Sequence, residues 1–395
     1  MPLYKNINLY VIFLNTIFAV AGVSLIVPDL PVIARHFEVP PEHIGWIISA
    51  LTLPGVLFVL LFGVLADRFG RKALMVPSLA LFGAAGGAAY WVDDYSTLTA
   101  LRFVQGIGSA ILPSMSTMLI GDLFEEKDRL KVMGLNSAVL SVGTAFFPFI
   151  GGLMATVDWR TPFLAFWAAL PAAALIMVYF KEPAIKKPDG MMKYLRDSAG
   201  HILKKSTVLA LATGMAVFIL LYGGILTYLP LYMDRRFGMS AYEVGLYIAA
   251  ASFATAWFAP FAHRMERRMG ARMMFIAGFV LFAVSFFSIL GVSEKQWMLA
   301  PILVFGAAMG VTVPLLQSIV TGLAPHEHRG VLVSTLAMLI RLGQTVGPML
   351  LALFVLGGSL SPVFAACGVA ALAFIFVLAV WGKILQEEKP PQEAL

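Results

Sequence analysis

Four charged side chains crowd into Gly63–Lys72, which reads Gly-Val-Leu-Ala-Asp-Arg-Phe-Gly-Arg-Lys: Asp67, Arg68, Arg71 and Lys72. Charges of both signs this close can form ion pairs, cap helix ends and release again, with no covalent step. Two more cations stand in apolar surroundings: Arg102, with Gln105 three residues on, and Arg341, with Gln344 at the same spacing. That spacing puts each pair on one helical face. A guanidinium in such a place must face protein or water, so Arg102 is a candidate for proton coupling and Arg341 for proton coupling or substrate binding. Asp29, between Pro28 and Pro31, sits at the end of an apolar run where a kink would tuck it inward as a proton site. His263 reads as an interfacial residue. Covalent chemistry is not in view. There is no phosphate-binding loop, no His-Glu-x-x-His and no loop nucleophile beside a base, so no enzyme activity is expected. The single Cys367 permits no internal disulfide, and no metal or cofactor is expected.

The elements that must position these groups are long and apolar. The chain of 395 residues is 60% apolar and 13% charged, against roughly 25% charged in soluble proteins. Runs near the length that crosses a bilayer recur near 7–27, 43–64, 73–92, 96–120, 131–154, 160–180, 207–231, 241–262, 272–291, 297–320, 331–355 and 360–382. They predict an all-α membrane protein with twelve transmembrane helices. The formal charge of +6 does not indicate nucleic acid, because the basic residues sort by loop. With the N-terminus inside, only Arg35, Arg160, Arg235, Arg236 and Lys295 fall outside, which predicts both termini in the cytoplasm and the first helix retained.

Residues 181–206 break the apolar pattern with a basic stretch, six runs before it and six after. The expected organisation is an N-terminal bundle over 1–180, a cytoplasmic central loop over 181–206 and a C-terminal bundle with a short tail over 207–395. The loop reads either as a surface-lying amphipathic segment beside anionic lipid or as a plain linker. At an offset of 200 the halves match: Gly45 with Gly245, Gly70 with Gly270, Gly106 with Gly306, Gly143 with Gly343 and Pro148 with Pro348. Such self-similarity implies duplication of a six-helix unit. The repeat fails where charge matters, since Arg267 stands opposite Asp67.

Gly63–Lys72 closely resembles the signature G-x-L-A-D-R-x-G-R-K between helices 2 and 3 of the major facilitator superfamily. Arg102-Phe-Val-Gln-Gly106 resembles the R-x-x-Q-G motif of its drug/proton antiporters. Gly134…Gly143-x-x-x-Phe147-Pro148-x-x-Gly151-Gly152 resembles the family's antiporter motif, with Phe147 where a glycine is expected. Gly22…Pro28-Asp-Leu-Pro31 resembles the first-helix motif of the twelve-helix drug/proton antiporter group. The resemblance implies two pseudo-symmetric six-helix bundles with substrate held between them. It implies that Asp67 faces the start of helix 11, near Gly330–Thr335, that Arg71 pairs with Asp122, and that both contacts gate the cytoplasmic side.

Helices 1, 4, 7 and 10 line the cavity in this family, which singles out Asn15, Gln105, Ser114, Tyr222, Tyr228 and Gln317 for the substrate. Arg341 and Gln344 join them from the helix 11 face opposite Gly343 and Gly347, and those glycines are expected to pack on helix 2. The expected activity is proton-coupled efflux of a small amphipathic compound by a monomer in the inner membrane, with sugar or metabolite efflux and uncoupled facilitated transport as alternatives. Two intramembrane arginines without a matching carboxylate lean toward neutral or anionic compounds.

Overall fold

A run of about 20 apolar residues in lipid must close every backbone hydrogen bond within itself, and the helix is the form that does so in one segment. The computed structural model describes residues 6–180, 182, 202–323, 329–382 and 384, and at Leu60, Val64, Asp67, Glu126, Lys127, Leu130, Arg329 and Gly330 the backbone alone. Among the described residues twelve helical spans are long and apolar enough to cross a membrane: α1 (Ile7–His36), α2 (Pro41–Val59), α3 (Arg71–Trp91), α4 (Tyr95–Leu123), α5 (Lys131–Ala155), α6 (Thr161–Tyr179), α7 (Lys205–Phe237), α8 (Ala241–Met269), α9 (Ala271–Gly291), α10 (Lys295–Gly322), α11 (Val331–Ala352) and α12 (Ser361–Trp381). The central loop expected over 181–206 lies largely outside the described residues.

Caps and breakers set the ends. Asp94 caps α4, its carboxylate accepting from the Thr97 amide at 2.8 Å. The Thr97 hydroxyl first, and then its amide, hold the exposed Asp94 carboxyl below its ordinary range. Gly70 ends the helix Trp46–Phe69 and caps α3 at φ 101° and ψ 158°, where an L side chain would be strained. Pro28 and Pro31 do not end α1. A 3₁₀ turn at Val27–Asp29 carries the chain into a further helix, Leu30–His36. Asp29 therefore lies inside the first span, not at its outer end as its flanking prolines suggest.

The chain forms two compact units. The first holds α1 to α6 and takes in Gly238–Ala249, the opening turns of α8; the second holds α7 and everything from Ala250 on. In the first, α1 packs on α5, α2 on α4, and α3 on both α4 and α6. In the second, α7 packs on α11, α8 on α10, and α9 on both α10 and α12, the same scheme six helices later. The correspondence reaches single residues. A Cβ on Gly106 would collide with the Leu51 carbonyl oxygen, and one on Gly306 with that of Ala251. Gly270 caps α9 at φ 78° and ψ 156°, close to the geometry of Gly70. The duplication read from glycine spacing is thus present in packing and in backbone, even where Arg267 has replaced the acid.

One feature of α7 has no counterpart in the pattern of its residues. Leu220–Tyr228 is a π-helix, wider than the α-helical turns on either side, and the Thr227 hydroxyl donates to the Tyr222 carbonyl within it at 2.7 Å. The adjacent Gly223 and Gly224 meet different neighbours, Gly223 the backbone of Gly347 in α11 and Gly224 the ring of Phe286 in α9.

Candidate functional site

At the α2–α3 turn, Arg71 is the first residue of α3 and buried, and its Nε donates to Asp122 Oδ2 at the end of α4 across 2.9 Å. The pair expected from the sequence is formed. The turn has a second anchor that the sequence reading missed. The Glu182 carboxylate, just past α6, accepts from the backbone amides of both Arg71 and Lys72, the latter at 2.8 Å. It thereby satisfies two of the free N–H groups that open α3, where the helix dipole favours an anion. Lys72 Nζ donates to the Phe180 carbonyl at 2.9 Å, so this lysine fastens the turn to α6 as well as marking the basic side. Gly70 is needed here for space too, since a Cβ would sit 2.9 Å from Glu182 Oε1. Arg68 is exposed, its guanidinium 5.5 Å from the Phe69 ring. Among the described residues a Cβ on Gly63 would meet only the Met118 methyl, at 3.8 Å, so none of them approaches closely enough to need the glycine. The side chain of Asp67 and residues 324–328 lie outside the described set. Glu182→Ala is expected to cost about 1 kcal/mol of local stability, as lost caps do. Hydrogen exchange should read this as faster exchange of the Arg71 and Lys72 amides, with the middle of α3 unchanged.

Arg102 is wholly buried. It donates from Nη1 to Gln105 Oε1 at 2.6 Å and from Nη2 to the Gly22 carbonyl at 2.5 Å, and its guanidinium lies 5.9 Å from the Phe166 ring. Two separate sequence motifs therefore meet in one bond, the arginine of α4 and the glycine of α1. This inward tether excludes the alternative in which Arg102 snorkels to the outer surface. Asp29 lies seven residues beyond Gly22, fully buried, and among the described residues neither carboxylate oxygen has a hydrogen-bond partner. The charged groups that act on it are Asp158 and Arg35.

The glycine faces are built for backbone contact. Gly151 admits the Leu25 carbonyl of α1, and Gly152 admits the Ala241 carbonyl at the start of α8. Phe147, the departure from the motif, turns its ring over Gly143, 3.2 Å from where a Cβ would be, and so fills the space that glycine leaves. Gly343 and Gly347 of α11 pack on α7, at Met215, Phe218 and Ile219, and not on α2 as expected. The reason is the repeat: α11 stands to α7 as α5 stands to α1. Pro348 contributes its carbonyl, which accepts from the Tyr228 hydroxyl at 3.1 Å.

The expected substrate residues divide in two. Asn15, Gln105 and Tyr228 have no exposed surface. Asn15 donates to the Leu112 carbonyl, where the helix of α4 restarts, and to Ser116 Oγ at 3.0 Å; Thr16 joins the same cluster through Ser116 at 2.8 Å and Asn136 at 2.7 Å. The Asn15 cluster and Tyr228 tie helices together in this conformation, Gln105 holds Arg102 within α4, and none of the three has surface to offer a ligand. Ser114, Tyr222, Arg341 and Gln344 are half-buried and Gln317 is exposed. Tyr222 and Arg341 lie within electrostatic reach of each other. Glu182 left one signal in the sequence, an acid right after the sixth apolar run. The Asn15 cluster left less, because Thr, Ser and Asn scattered in apolar helices are common and only the fold brings these together.

The chain is similar to known proteins in sequence and fold. The chain is 27% identical over 363 residues to the class C tetracycline resistance protein of Escherichia coli, covering 88% of this chain and 89% of that one. It is 23% identical over 384 residues to the quinolone resistance protein NorA of Staphylococcus aureus, covering 94% and 96%. Among solved structures, a bacterial homologue of the human lysosomal transporter Spinster, described as inward-facing and unoccupied, superposes with a TM-score of 0.77 at 15% identity, covering 98% and 97%. The sequence pattern of the Major Facilitator Superfamily matches residues 12–255 and 211–395. Twelve spans, a repeated six-helix packing scheme and a matching pattern over nearly the whole length make this chain a multi-pass membrane transporter of the Major Facilitator Superfamily.

Proposed function

We propose that the chain is a proton-coupled exporter of amphipathic small molecules, working by alternating access as a monomer in the inner membrane with both termini in the cytoplasm. Its relatives are resistance proteins for tetracycline and quinolone drugs, which supports efflux of compounds with an apolar body. The observation that carries proton coupling is Asp29, a carboxyl inside the first membrane span with both oxygens buried and unpartnered. A polar group so placed gains from any change that gives it a proton, a donor or water. Helix α1 is bent at that point and is joined seven residues earlier to Arg102, so its motion and the ionisation of Asp29 are linked.

In this reading Asp67, Arg71 and Asp122, with Gly63, Arg68, Gly70 and Lys72 around them, form the cytoplasmic gate, and Arg102 transmits between α1 and α4. Tyr222, Arg341 and Gln344, with Ser114 and Gln317, contact substrate.

The test uses purified protein in liposomes loaded with a pH-sensitive dye under an imposed proton gradient. Lipophilic cations, neutral amphiphiles and organic anions are added in turn. Substrate-triggered proton movement is expected, and Asp29→Asn should cut it at least tenfold while substrate counterflow, which needs no net proton step, persists. Substrate flux with no proton movement would sink coupling and leave facilitated transport.

A further inference from the structure

The two intramembrane arginines are provided for very differently. Arg102 has a side-chain carbonyl, a main-chain carbonyl and an aromatic face. Arg341 is the eleventh residue of the span Val331–Ala352, which contains no Asp or Glu. At 1.5 Å per residue it lies about 15 Å from either end, beyond the reach of lipid headgroups. Among the described residues no carboxylate and no hydrogen-bond acceptor pairs with its guanidinium, and Tyr222 of α7 is the group that acts on it. Gln344, one turn on, has no partner among the described residues either. The opposite face of α11 is taken up by Gly343 and Gly347 against α7, so rotation of the helix cannot bury the charge elsewhere without breaking that packing.

A mid-membrane guanidinium costs at least about 2.5–3.5 kcal/mol on insertion scales. Buried charges are kept where something pairs with them. The chain supplies no such partner among its described residues, so the partner arrives from outside. We infer that the substrate of this transporter carries an acidic group, a carboxylate or an equivalent oxyanion, and that Arg341 binds it, with Tyr222 and Gln344 as neutral hydrogen-bonding groups beside it. The planar fork of arginine matches a carboxylate through two parallel hydrogen bonds. The Tyr222 ring, 6.3 Å from that of Phe218 in the same helix, extends the site as an apolar aromatic surface. The ligand is therefore an amphipathic organic anion: an oxyanion at one end and an aromatic or aliphatic body at the other. The inference rests on the exporter reading above and narrows its substrate class.

Three probes of one shape test it: an aryl carboxylate fluorophore, its methyl ester and the corresponding aryl ammonium. Each is titrated by fluorescence anisotropy against the full chain in nanodiscs. The acid should bind at least tenfold more tightly than the ester and more tightly still than the cation, tenfold being 1.4 kcal/mol. Arg341→Gln should bring the acid-to-ester ratio close to one. Arg341→Lys, which keeps the charge and loses the fork, should give a ratio between the two. Equal binding of acid and ester by the unaltered protein overturns the inference whether or not the glutamine variant folds. A ratio unchanged in both variants also overturns it, because the acid is then held elsewhere. Ester and cation binding without preference for the acid leaves the exporter reading standing. Absence of binding by all three, together with no flux in the proton-gradient assay, removes both.

Discussion

Arg102→Leu is expected to abolish transport while leaving the protein folded and inserted. Its bond to the Gly22 carbonyl, from a charged donor and worth about 1.5–3 kcal/mol, holds α4 to α1, while its bond to Gln105 within α4 orients the guanidinium. Against them stands the desolvation of a guanidinium with no exposed surface. Replacing a buried charge with an apolar side chain of similar size is often neutral for stability. The variant thus separates two roles that usually fall together. Thermal unfolding in detergent should shift by only a few degrees, whereas flux in liposomes should drop by two orders of magnitude or more, because α1 no longer follows α4. Arg102→Lys should fail almost as badly, since an ammonium cannot reach Gln105 Oε1 and the Gly22 carbonyl in the fork geometry that arginine uses. Full activity in either variant would show that the tether is dispensable.

The second large effect is on folding itself. Gly106→Val and Gly306→Val should each prevent recovery of monodisperse protein. In both places the new Cβ overlaps a main-chain carbonyl oxygen of the neighbouring helix, Leu51 for one and Ala251 for the other. A side chain in the way could rotate; a carbonyl in a helix cannot, so the helices must part along their length. Overpacking costs typically 1–3 kcal/mol and more where nothing can relax, and tight packing is the main force between helices in lipid. Gly134→Ala, where no described residue lies within 4 Å of the new carbon, is the matched control and should be recovered like the unaltered protein. Size-exclusion profiles of fluorescently tagged variants would decide it. A difference between the Gly106 and Gly306 variants would mean that the halves do not share this constraint.

Much of the fold was legible because membrane helices advertise themselves by length and apolarity, and because glycine marks where backbones touch. Arg71 and Asp122 could be paired in advance through family resemblance, since their charges have few other uses. Where the reading failed, the information was not local. Asp29 looked terminal because two prolines usually stop a helix, yet Pro28 falls in a 3₁₀ turn, Pro31 in the first turn of the next helix, and the chain continues to His36. Asn15, Gln105 and Tyr228 looked available because polar side chains in apolar helices suggest a ligand. Asn15 and Tyr228 instead meet groups about a hundred residues away in sequence, and Gln105 is taken up by Arg102 one turn before it. The helix on which Gly343 and Gly347 would pack could not be read from their spacing, which shows that a face is smooth but not what it lies against.

The wide stretch of α7 at Leu220–Tyr228 has a consequence for how this helix can move. It holds more residues per turn than the helix around it, so an inserted phase is stored there like slack in a wound cord. Letting out one residue of that slack would turn everything beyond it by about 100°. Tyr228 would then swing away from the Pro348 carbonyl, while Met215 to Ile219, on the other side, could keep their hold on Gly343. The stretches of α7 on either side of Leu220–Tyr228 would then turn as geared parts, with main-chain hydrogen bonds passed from one carbonyl to the next as the gear teeth.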